Sequence, residues 1–320
     1  MEKRVLGRTG IQVGEIGMGC EGLIGMSPQQ VEEMVDIMET AGVSCIDLYT
    51  PNPQVRQDLG AALVGRRERF ILQGHICSVW QNGQYKRTRD LTEAQDGFAG
   101  QLRQLGTDYL DVGMIHYVDA MDDWKTVVSS GILDYALALK AAGTIRSVGL
   151  SSHSAEVALA AVQTGWIDVL MFSVNPCYDL QPGNRDIEGL GAAENYARPL
   201  VNMDPQRQVL YETCQRLGVG ITVMKAFGGG ELLSDKGPAG KSLTPFQCIH
   251  YALDRPAVAS VLCGARTPEE LRTCIAYEKA AEAERDYAAA LAAFPRISWK
   301  GHCMYCGHCA PCPQGIDVAA

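Results

Sequence analysis

Eight short apolar runs alternate with amphipathic segments along most of this chain, and this alternation constrains the fold more than any other feature. Each run predicts a strand and is followed by apolar residues at helical spacing. Strands that are apolar without interruption are typical of parallel sheets covered by helices. The pattern predicts the α/β class and, within it, a (β/α)8 TIM barrel preceded by an N-terminal β-hairpin. The hairpin is predicted at 3–6 and 12–13, and the strands at 15–18, 45–48, 70–74, 110–115, 145–150, 167–174, 220–224 and 259–262.

A doubly wound parallel sheet is the alternative fold. It would need a Gly-rich phosphate-binding turn after its first strand, and the stretch Gly17–Gly22 resembles one only loosely. The chain has 320 residues, which is enough for a barrel of about 250 residues and an appendage. We therefore assign residues 1–290 to the barrel and residues 291–320 to a short C-terminal Cys-rich segment. Two long connections, 176–204 and 228–240, follow strands six and seven on the face where barrel active sites are built.

Four cysteines in the C-terminal segment stand at an even spacing of two intervening residues and are followed by Pro313. Iron–sulfur clusters are held by thiolates, and a similar Cys run followed by Pro holds the cubane cluster of bacterial ferredoxins. Structural zinc is the alternative, although zinc sites usually separate two Cys pairs by a longer loop. The segment therefore predicts a 4Fe-4S cluster with the ligands Cys303, Cys306, Cys309 and Cys312. The other eight cysteines are scattered singly and are predicted to be small core residues.

The last gap in the Cys run leaves two arrangements open. In ferredoxins with two clusters the last gap has three residues, and the fourth Cys of each run ligates the cluster of the other run. Cys312 then either closes a single cluster here, or belongs to an incomplete module whose second Cys run is not in these 320 residues.

The charge balance excludes some kinds of partner. Lys and Arg number 28 against 37 Asp and Glu, so the net charge of −9 argues against a nucleic-acid-binding surface. No stretch is apolar over the roughly 18 residues that a membrane span needs. The first ten residues lack the apolar core of a secretory signal, so we expect a cytoplasmic protein without disulfides.

Ionisable residues stand at the ends of three neighbouring predicted strands. Asp47 ends strand two, His116 follows strand four, and His75 follows strand three. Tyr49 points to the same side as Asp47, because side chains alternate along an extended segment. Loop hydrogen bonds would also explain single residues of this kind. Their joint position on the active-site face of a barrel predicts a catalytic site made of Asp47, Tyr49, His75 and His116.

Several motifs between residue 3 and about residue 285 resemble, in order, those of the aldo-keto reductases. They are Arg4–Gly10, Ile16–Gly19, Thr107–His116, Gly143–His153 and Gly264–Leu271. The Cys-rich segment is similar to that of the family branch with a ferredoxin-like C-terminal domain. The resemblance implies a (β/α)8 barrel, a nicotinamide cofactor (NAD or NADP) and carbonyl reduction by hydride transfer.

The catalytic set of the family is Asp, Tyr, Lys and His, and only part of it is matched. Asp47 and His116 match the family's Asp and His. The position of the acid Tyr holds Asn52, and no Lys ends strand three. Carbonyl reduction needs a proton donor, and an asparagine side chain cannot protonate an alkoxide. We therefore expect ordinary aldehydes and ketones to be poor substrates, with Tyr49 or His75 as replacements for the missing acid.

The resemblance also implies the cofactor-binding residues. Serines after strand five and an asparagine after strand six match positions that hold the nicotinamide carboxamide. The loops after strands seven and eight match those that contact the nicotinamide, the pyrophosphate and the adenosine phosphate. The residues implied are Ser151, Ser152, Asn175, Met224, Lys225, Phe227, Gly228, Gly264, Ala265 and Arg266.

The function predicted from these features is an oxidoreductase that moves electrons between a nicotinamide and a small-molecule substrate or the 4Fe-4S cluster, with a redox protein as a further partner. Two alternatives stay open. One is a barrel that has lost catalysis and acts as an electron-transfer or binding subunit. The other is a lyase or isomerase that uses Asp47, His75 and His116 as acid and base.

Overall fold

The computed structural model describes residues 1–180, 203–235 and 241–292, and its centre is a closed barrel of eight parallel strands. This confirms the predicted barrel and rules out the doubly wound sheet. Around the barrel the strand order is β3-β4-β5-β8-β9-β10-β11-β12, and the pairs β1-β2 and β6-β7 form two antiparallel hairpins. The bounds are β1 Lys3–Val5, β2 Gln12–Gly14, β3 Ile16–Gly19, β4 Cys45–Leu48, β5 Ile71–Ile76, β6 Ser78–Gln81, β7 Gln84–Arg87, β8 Leu110–Ile115, β9 Ile145–Ser152, β10 Val169–Ser173, β11 Gly220–Met224 and β12 Val258–Cys263.

Helices cover the outside of the barrel, and their ends follow the signals in the sequence. The first helix begins after Ser27, which forms a capping box with Gln30, and it ends at Gly42 in a left-handed conformation. The described helices are α1 Pro28–Ala41, α2 Pro53–Ala62, α3 Leu91–Leu105, α4 Met121–Ser129, α5 Ile132–Ala141, α6 Ala155–Gln163, α7 Pro176–Asp179, α8 Pro205–Leu217, α9 Pro245–Leu253, α10 Pro268–Ala276, α11 Glu282–Arg285 and α12 Ala288–Ala292.

The N-terminal end of the barrel is closed by the predicted hairpin β1-β2. Leu6, Ile11 and Val13 are buried there in a cluster with Cys45 and Val112 of the barrel strands. The opposite end, where the strands have their carboxyl termini, carries the candidate site residues. No described helix is long and apolar enough to cross a membrane.

Three predicted segments differ from the structure or lie partly outside its described residues. Apolar residues at helical spacing predict one continuous helix over 268–284, but α10 ends at Ala276, a 3₁₀ turn follows at Tyr277–Lys279, and Ala280 is extended. The connection at 176–204 was predicted as a loop, but it opens with the short helix α7, and residues 181–202 lie outside the described ranges. The ligand cysteines predicted at 303–312 also lie outside them.

Two helix glycines allow a matched test of the packing between α2 and α3. A Cβ added to Gly60 would lie 2.7–2.8 Å from backbone atoms of Leu105, whereas the nearest atom to a Cβ on Gly100 would be 3.7 Å away. We expect Gly60→Ala to lower the free energy of unfolding by about 1–3 kcal/mol through overpacking. We expect Gly100→Ala to raise it by about 0.5–1 kcal/mol through helix propensity. Urea denaturation of both variants tests this, and equal effects of the two substitutions would contradict the close approach of the helices.

Candidate active site

The candidate residues form two adjoining arcs at the carboxyl ends of the barrel strands. The first arc, on β4, β5 and β8, carries Asp47, His75 and His116. Register aligns Asp47 with Gln73 and His75 with Met114, so neighbouring strands bring the three side chains together. The second arc, on β9 to β12, carries the residues predicted to hold the cofactor. The structure therefore places the predicted catalytic and cofactor residues around one mouth.

A chain of hydrogen bonds links three buried residues of the first arc. The Nε2 atom of His75 lies 2.9 Å from Oδ1 of Asp47, and its Nδ1 atom lies 2.7 Å from Nδ1 of His116. All three residues are buried, with exposed fractions of 1% for Asp47 and His75 and 4% for His116. The distances fit direct hydrogen bonds. A buried carboxylate in line with two imidazoles can hold and move a proton.

The chain continues to a fourth residue that the sequence analysis missed. The hydroxyl of Tyr85 lies 2.8 Å from Nε2 of His116. Tyr85 stands on β7, in the hairpin that follows β5. The turn of this hairpin is Asn82-Gly83, and both residues have positive φ, as a type I′ turn requires. An Asn-Gly pair is a strong hairpin signal, so the hairpin could have been predicted from the sequence.

Tyr49 lies beside His116 but is not part of the chain of hydrogen bonds. Its ring is parallel to the imidazole within 5°, with the centroids 6.0 Å apart. The carboxylate of Glu21 acts on its hydroxyl. Burial, followed by the charge of Glu21, raises the pKa of Tyr49 well above its usual value. Tyr49 is therefore a weaker acid than a free tyrosine.

The backbone around His116 is held by a largely buried ion pair between Arg89 and Asp123. Arg89 donates to the carbonyl oxygens of His116 and Tyr117, at 3.0 and 2.8 Å, and two of its nitrogens bond to Asp123 at 2.7 Å. A planar guanidinium fits a carboxylate in this two-point way. The ion pair holds the loop after β8 and so orients the His116 side chain.

Asn52 occupies the position where the family resemblance would place an acid. Its side-chain oxygen accepts hydrogen bonds from the backbone N–H groups of Gln54 and Val55 and thereby caps α2. Asparagine is one of the preferred residues for this role. The structure thus gives Asn52 a helix-capping role.

In the second arc, the serines at the end of β9 differ in their partners. Ser151 is buried to 3% exposure, and its hydroxyl makes no hydrogen bond to the described residues. Ser152 donates to Oδ1 of Asp119, which also accepts from the backbone N–H of His153. Burial opposes ionisation of Asp119, but the charge and hydrogen bonds of His153 lower its pKa overall. Ser151 is therefore open to a ligand, whereas Ser152 helps to fix the loop after β8.

Asn175 and the loop after β11 are joined to each other. The amide nitrogen of Asn175 donates to the carbonyl oxygen of Lys225, and its amide oxygen caps α7 by accepting from the N–H of Tyr178. Lys225 has a positive φ of 61°, a conformation uncommon for residues other than glycine. Asn175 therefore positions the backbone of this loop. The loop residues range from half-buried to buried: Met224, Lys225, Ala226, Phe227 and Gly228.

The loop after β12 offers an exposed surface for an anionic group. Arg266 is exposed, and a Cβ added to Gly264 would meet no atom within 4 Å. Ala265 packs against Gly22, where a Cβ would lie 2.1 Å from its carbonyl oxygen. The backbone N–H of Arg266 donates to the carboxylate of Glu270 at 2.7 Å. Open space, a fixed backbone and a guanidinium together fit the phosphate end of a dinucleotide.

A metal site was predicted only in the C-terminal segment, and its cysteines lie outside the described residues. Within residues 1–180, 203–235 and 241–292, no group of three or more His, Cys, Asp or Glu side chains could hold a metal ion. The eight scattered cysteines are all buried and free, as predicted.

Comparisons with known proteins identify the family of this chain. The sequence model of the aldo/keto reductase family matches residues 15–247. The chain is 27% identical over 298 residues to the oxidoreductase YqkF of Bacillus subtilis, which covers 89% of this chain and 92% of YqkF. It is also 27% identical over 166 residues to the aldo-keto reductase YhdN of the same organism, covering 49% of this chain and 48% of YhdN.

A solved structure has the same fold. The aldo-keto reductase AKR11C1 from Bacillus halodurans superposes with a TM-score of 0.70 at 22% identity, covering 91% of this chain and 96% of that chain. The family match and the oxidoreductase relative YqkF together indicate an oxidoreductase built on this barrel. The chain belongs to the aldo/keto reductase family.

Proposed function

We propose that this protein reduces the carbonyl group of a small molecule with a nicotinamide cofactor and draws the proton from the buried chain of Asp47, His75 and His116. The observation that carries the proposal is the pair of hydrogen bonds of 2.9 and 2.7 Å that joins these three residues at the barrel mouth. Proton donation by positioned side chains contributes about 10²–10⁴-fold to such reactions. Asp47, His75 and His116 differ from the Tyr and Lys of the family's catalytic set, so we propose that the proton donor of this protein differs from that of the family.

The second arc supports the cofactor part of this proposal. Ser151 would hold the carboxamide, Asn175 would set the path of the loop at Lys225, and Arg266 would bind the phosphate end. When bound, the nicotinamide supplies a hydride. NAD and NADP both remain candidates, although the carboxylate of Glu270 beside Arg266 opposes the additional phosphate of NADP.

Cofactor binding is tested by replacing Arg266. We expect Arg266→Ala to weaken binding of NADH or NADPH by about 1.5–3 kcal/mol, the range for hydrogen bonds to a charged group. Isothermal titration calorimetry measures this change. Arg272→Ala is the matched control, because Arg272 is exposed on α10 and pairs with Glu33 away from the loop. If well-folded wild-type protein bound neither cofactor, the proposed function would be wrong.

We further propose that Cys303, Cys306, Cys309 and Cys312 hold a 4Fe-4S cluster that exchanges electrons with the substrate, the cofactor or a redox protein of the cytoplasm. The even spacing of the four thiols supports this proposal. Anaerobically purified wild-type protein should contain iron and acid-labile sulfide, and Cys306→Ser should lose both. Cys214→Ala, at a buried cysteine of α8, should keep them. Stoichiometric zinc without sulfide would exclude the cluster.

The acid–base chain would also serve a lyase or isomerase, and two measurements separate these functions. Such an enzyme would turn over its substrate without nicotinamide, whereas the proposed reductase consumes the reduced cofactor. A barrel that has lost catalysis would bind the cofactor and reduce none of a broad panel of carbonyl compounds.

A further inference from the structure

We propose that Tyr85 hands the proton to the substrate oxygen, and that His116, His75 and Asp47 form the path that returns a proton to Tyr85. This inference rests on the proposed carbonyl reduction and names its acid. Tyr85 is half-buried on the hairpin that follows β5, whereas Asp47, His75 and His116 are buried. A substrate entering the mouth would therefore meet Tyr85 before the histidines.

The geometry between Tyr85 and His116 suits proton transfer. The hydroxyl oxygen lies 2.8 Å from Nε2, and the two rings are nearly perpendicular, at 80°. Tyr49 instead presents its ring parallel to the imidazole, and the face of an imidazole has no N–H group and no nitrogen lone pair. The Tyr49 hydroxyl also lies under the influence of the Glu21 carboxylate, whose charge raises its pKa after burial. Only Tyr85, of these two tyrosines, can receive a proton from His116 along a hydrogen bond.

The hydrogen-bonded chain from Tyr85 to Asp47 has two proton states, and each state fixes which partner donates in every hydrogen bond. In the first, both imidazoles are neutral: Tyr85 donates to Nε2 of His116, Nδ1–H of His116 donates to Nδ1 of His75, and Nε2–H of His75 donates to Asp47. In the second state one more proton is present and His75 is charged. Donor and acceptor then exchange roles in every hydrogen bond of the chain except that to Asp47, because a neutral imidazole has one donor and one acceptor nitrogen. The Tyr85 hydrogen becomes free to point at a substrate only in this second state.

The transfer of a proton from Tyr85 to the substrate uses up the one extra proton of the second state. A hydride adds to the carbonyl carbon, the electron pair of the C=O π bond moves to oxygen, and a new O–H bond forms with the hydrogen of Tyr85. Tyr85 takes the Nε2 proton of His116, and His116 takes the Nδ1 proton of His75. His75 is left neutral and still donates to Asp47. No tyrosinate remains, and a proton from water restores the second state.

Charged and titratable groups face the hydrogen-bonded chain from several elements. The carboxylate of Asp47 bonds to His75, and the negative charge of Glu21 acts on Tyr49. Arg89, in the loop after β7, brings a positive charge to the same region and donates to the backbone carbonyl oxygen of His116. Further titratable groups face the chain: Tyr117 packs against His116, and the buried thiols of Cys20 and Cys45 lie near Asp47, whose charge adds to burial in raising their pKa.

The test replaces Tyr85 and uses one readout that does not depend on activity. In ¹⁵N NMR titrations of the protein without cofactor, Tyr85→Phe should shift the Nε2 resonance of His116 and leave that of His250 unchanged. In single-turnover reduction, Tyr85→Phe should lower the rate by about 10²–10⁴-fold at unchanged cofactor affinity. Tyr109→Phe, at the opposite end of β8, is the matched control and should keep the wild-type rate.

Three outcomes would overturn the assignment of Tyr85. One is a Tyr85→Phe rate within threefold of wild type, and another is an unchanged His116 resonance. The third is a large loss in Tyr49→Phe together with a normal rate in Tyr85→Phe, which would make Tyr49 the acid. If wild-type protein reduced no carbonyl compound, the proposed function would fail, and the NMR titration would still show whether the proton path exists.

Discussion

Replacing His116 by glutamine is expected to slow carbonyl reduction by about 10²–10⁴-fold, the usual contribution of a general acid. His116 stands between His75 and Tyr85 and bonds to both, at 2.7 and 2.8 Å. A glutamine amide can form hydrogen bonds but does not release a proton at neutral pH, so the path would be broken at this point. Cofactor affinity should not change, because His116 lies outside the arc from β9 to β12.

The measurement is the single-turnover oxidation of bound NADH or NADPH by a panel of aldehydes and ketones, followed by absorbance. His250→Gln is the matched control, since His250 lies on α9 and bonds to Tyr277 on the outside of the barrel. A His116→Gln variant that kept more than a tenth of the wild-type rate would show that the proton comes from elsewhere.

Asp179→Asn is expected to lower the free energy of unfolding by about 3–5 kcal/mol, because it leaves a buried arginine without its counter-charge. Asp179 and Arg207 are both fully buried, and Nε of Arg207 donates to Oδ1 at 2.7 Å. Tyr211 and Tyr251 donate to the same carboxylate at 2.6 and 2.9 Å. Burial alone would lower the pKa of Arg207, but the charges of Tyr211 and Asp179 raise it overall, so Arg207 stays charged.

Guanidinium chloride denaturation measures this effect, and two further variants interpret it. Asp122→Asn removes a carboxylate from an exposed ion pair with Lys125 and should change stability little. Adding Arg207→Met to Asp179→Asn should recover part of the loss, because the unpaired charge is then removed as well. If Asp179→Asn alone proved as stable as the wild type, the buried network would not anchor α8.

The fold was predictable because its signals are local and repeated. Apolar runs followed by helical spacing predicted all eight barrel strands. Residues that favour helix ends, Ser27 and Gly42, stand at the two ends of α1. The segment after Ala276 differs from the predicted helix, because a 3₁₀ turn at Tyr277–Lys279 and the extended residue Ala280 interrupt it. The hairpin β6-β7 was missed although Asn82-Gly83 indicates it.

The site was predictable only in part. Asp47, His75 and His116 stand at strand ends, and parallel strands bring such residues to one mouth whatever the details of packing. The order of these residues in the chain of hydrogen bonds, and the place of Tyr85 at its end, depend on contacts between residues 28 to 41 positions apart in the sequence. The cap made by Asn52 and the bond from Asn175 to Lys225 also became evident only in the structure.

The sequence by itself determined the barrel, the face that carries the candidate site and three of the four residues that the structure joins by hydrogen bonds there. The barrel and its site-bearing face follow from hydrophobic periodicity and from the common direction of parallel strands, both of which can be deduced from the sequence. Only the tertiary structure decided that Tyr85, rather than Tyr49, bonds to His116. That choice depends on ring orientation and on which hydroxyl Glu21 engages, at distances of a few ångströms between segments far apart in sequence. Hydrogen bonds are short-ranged and directional, so residue type and spacing cannot specify them.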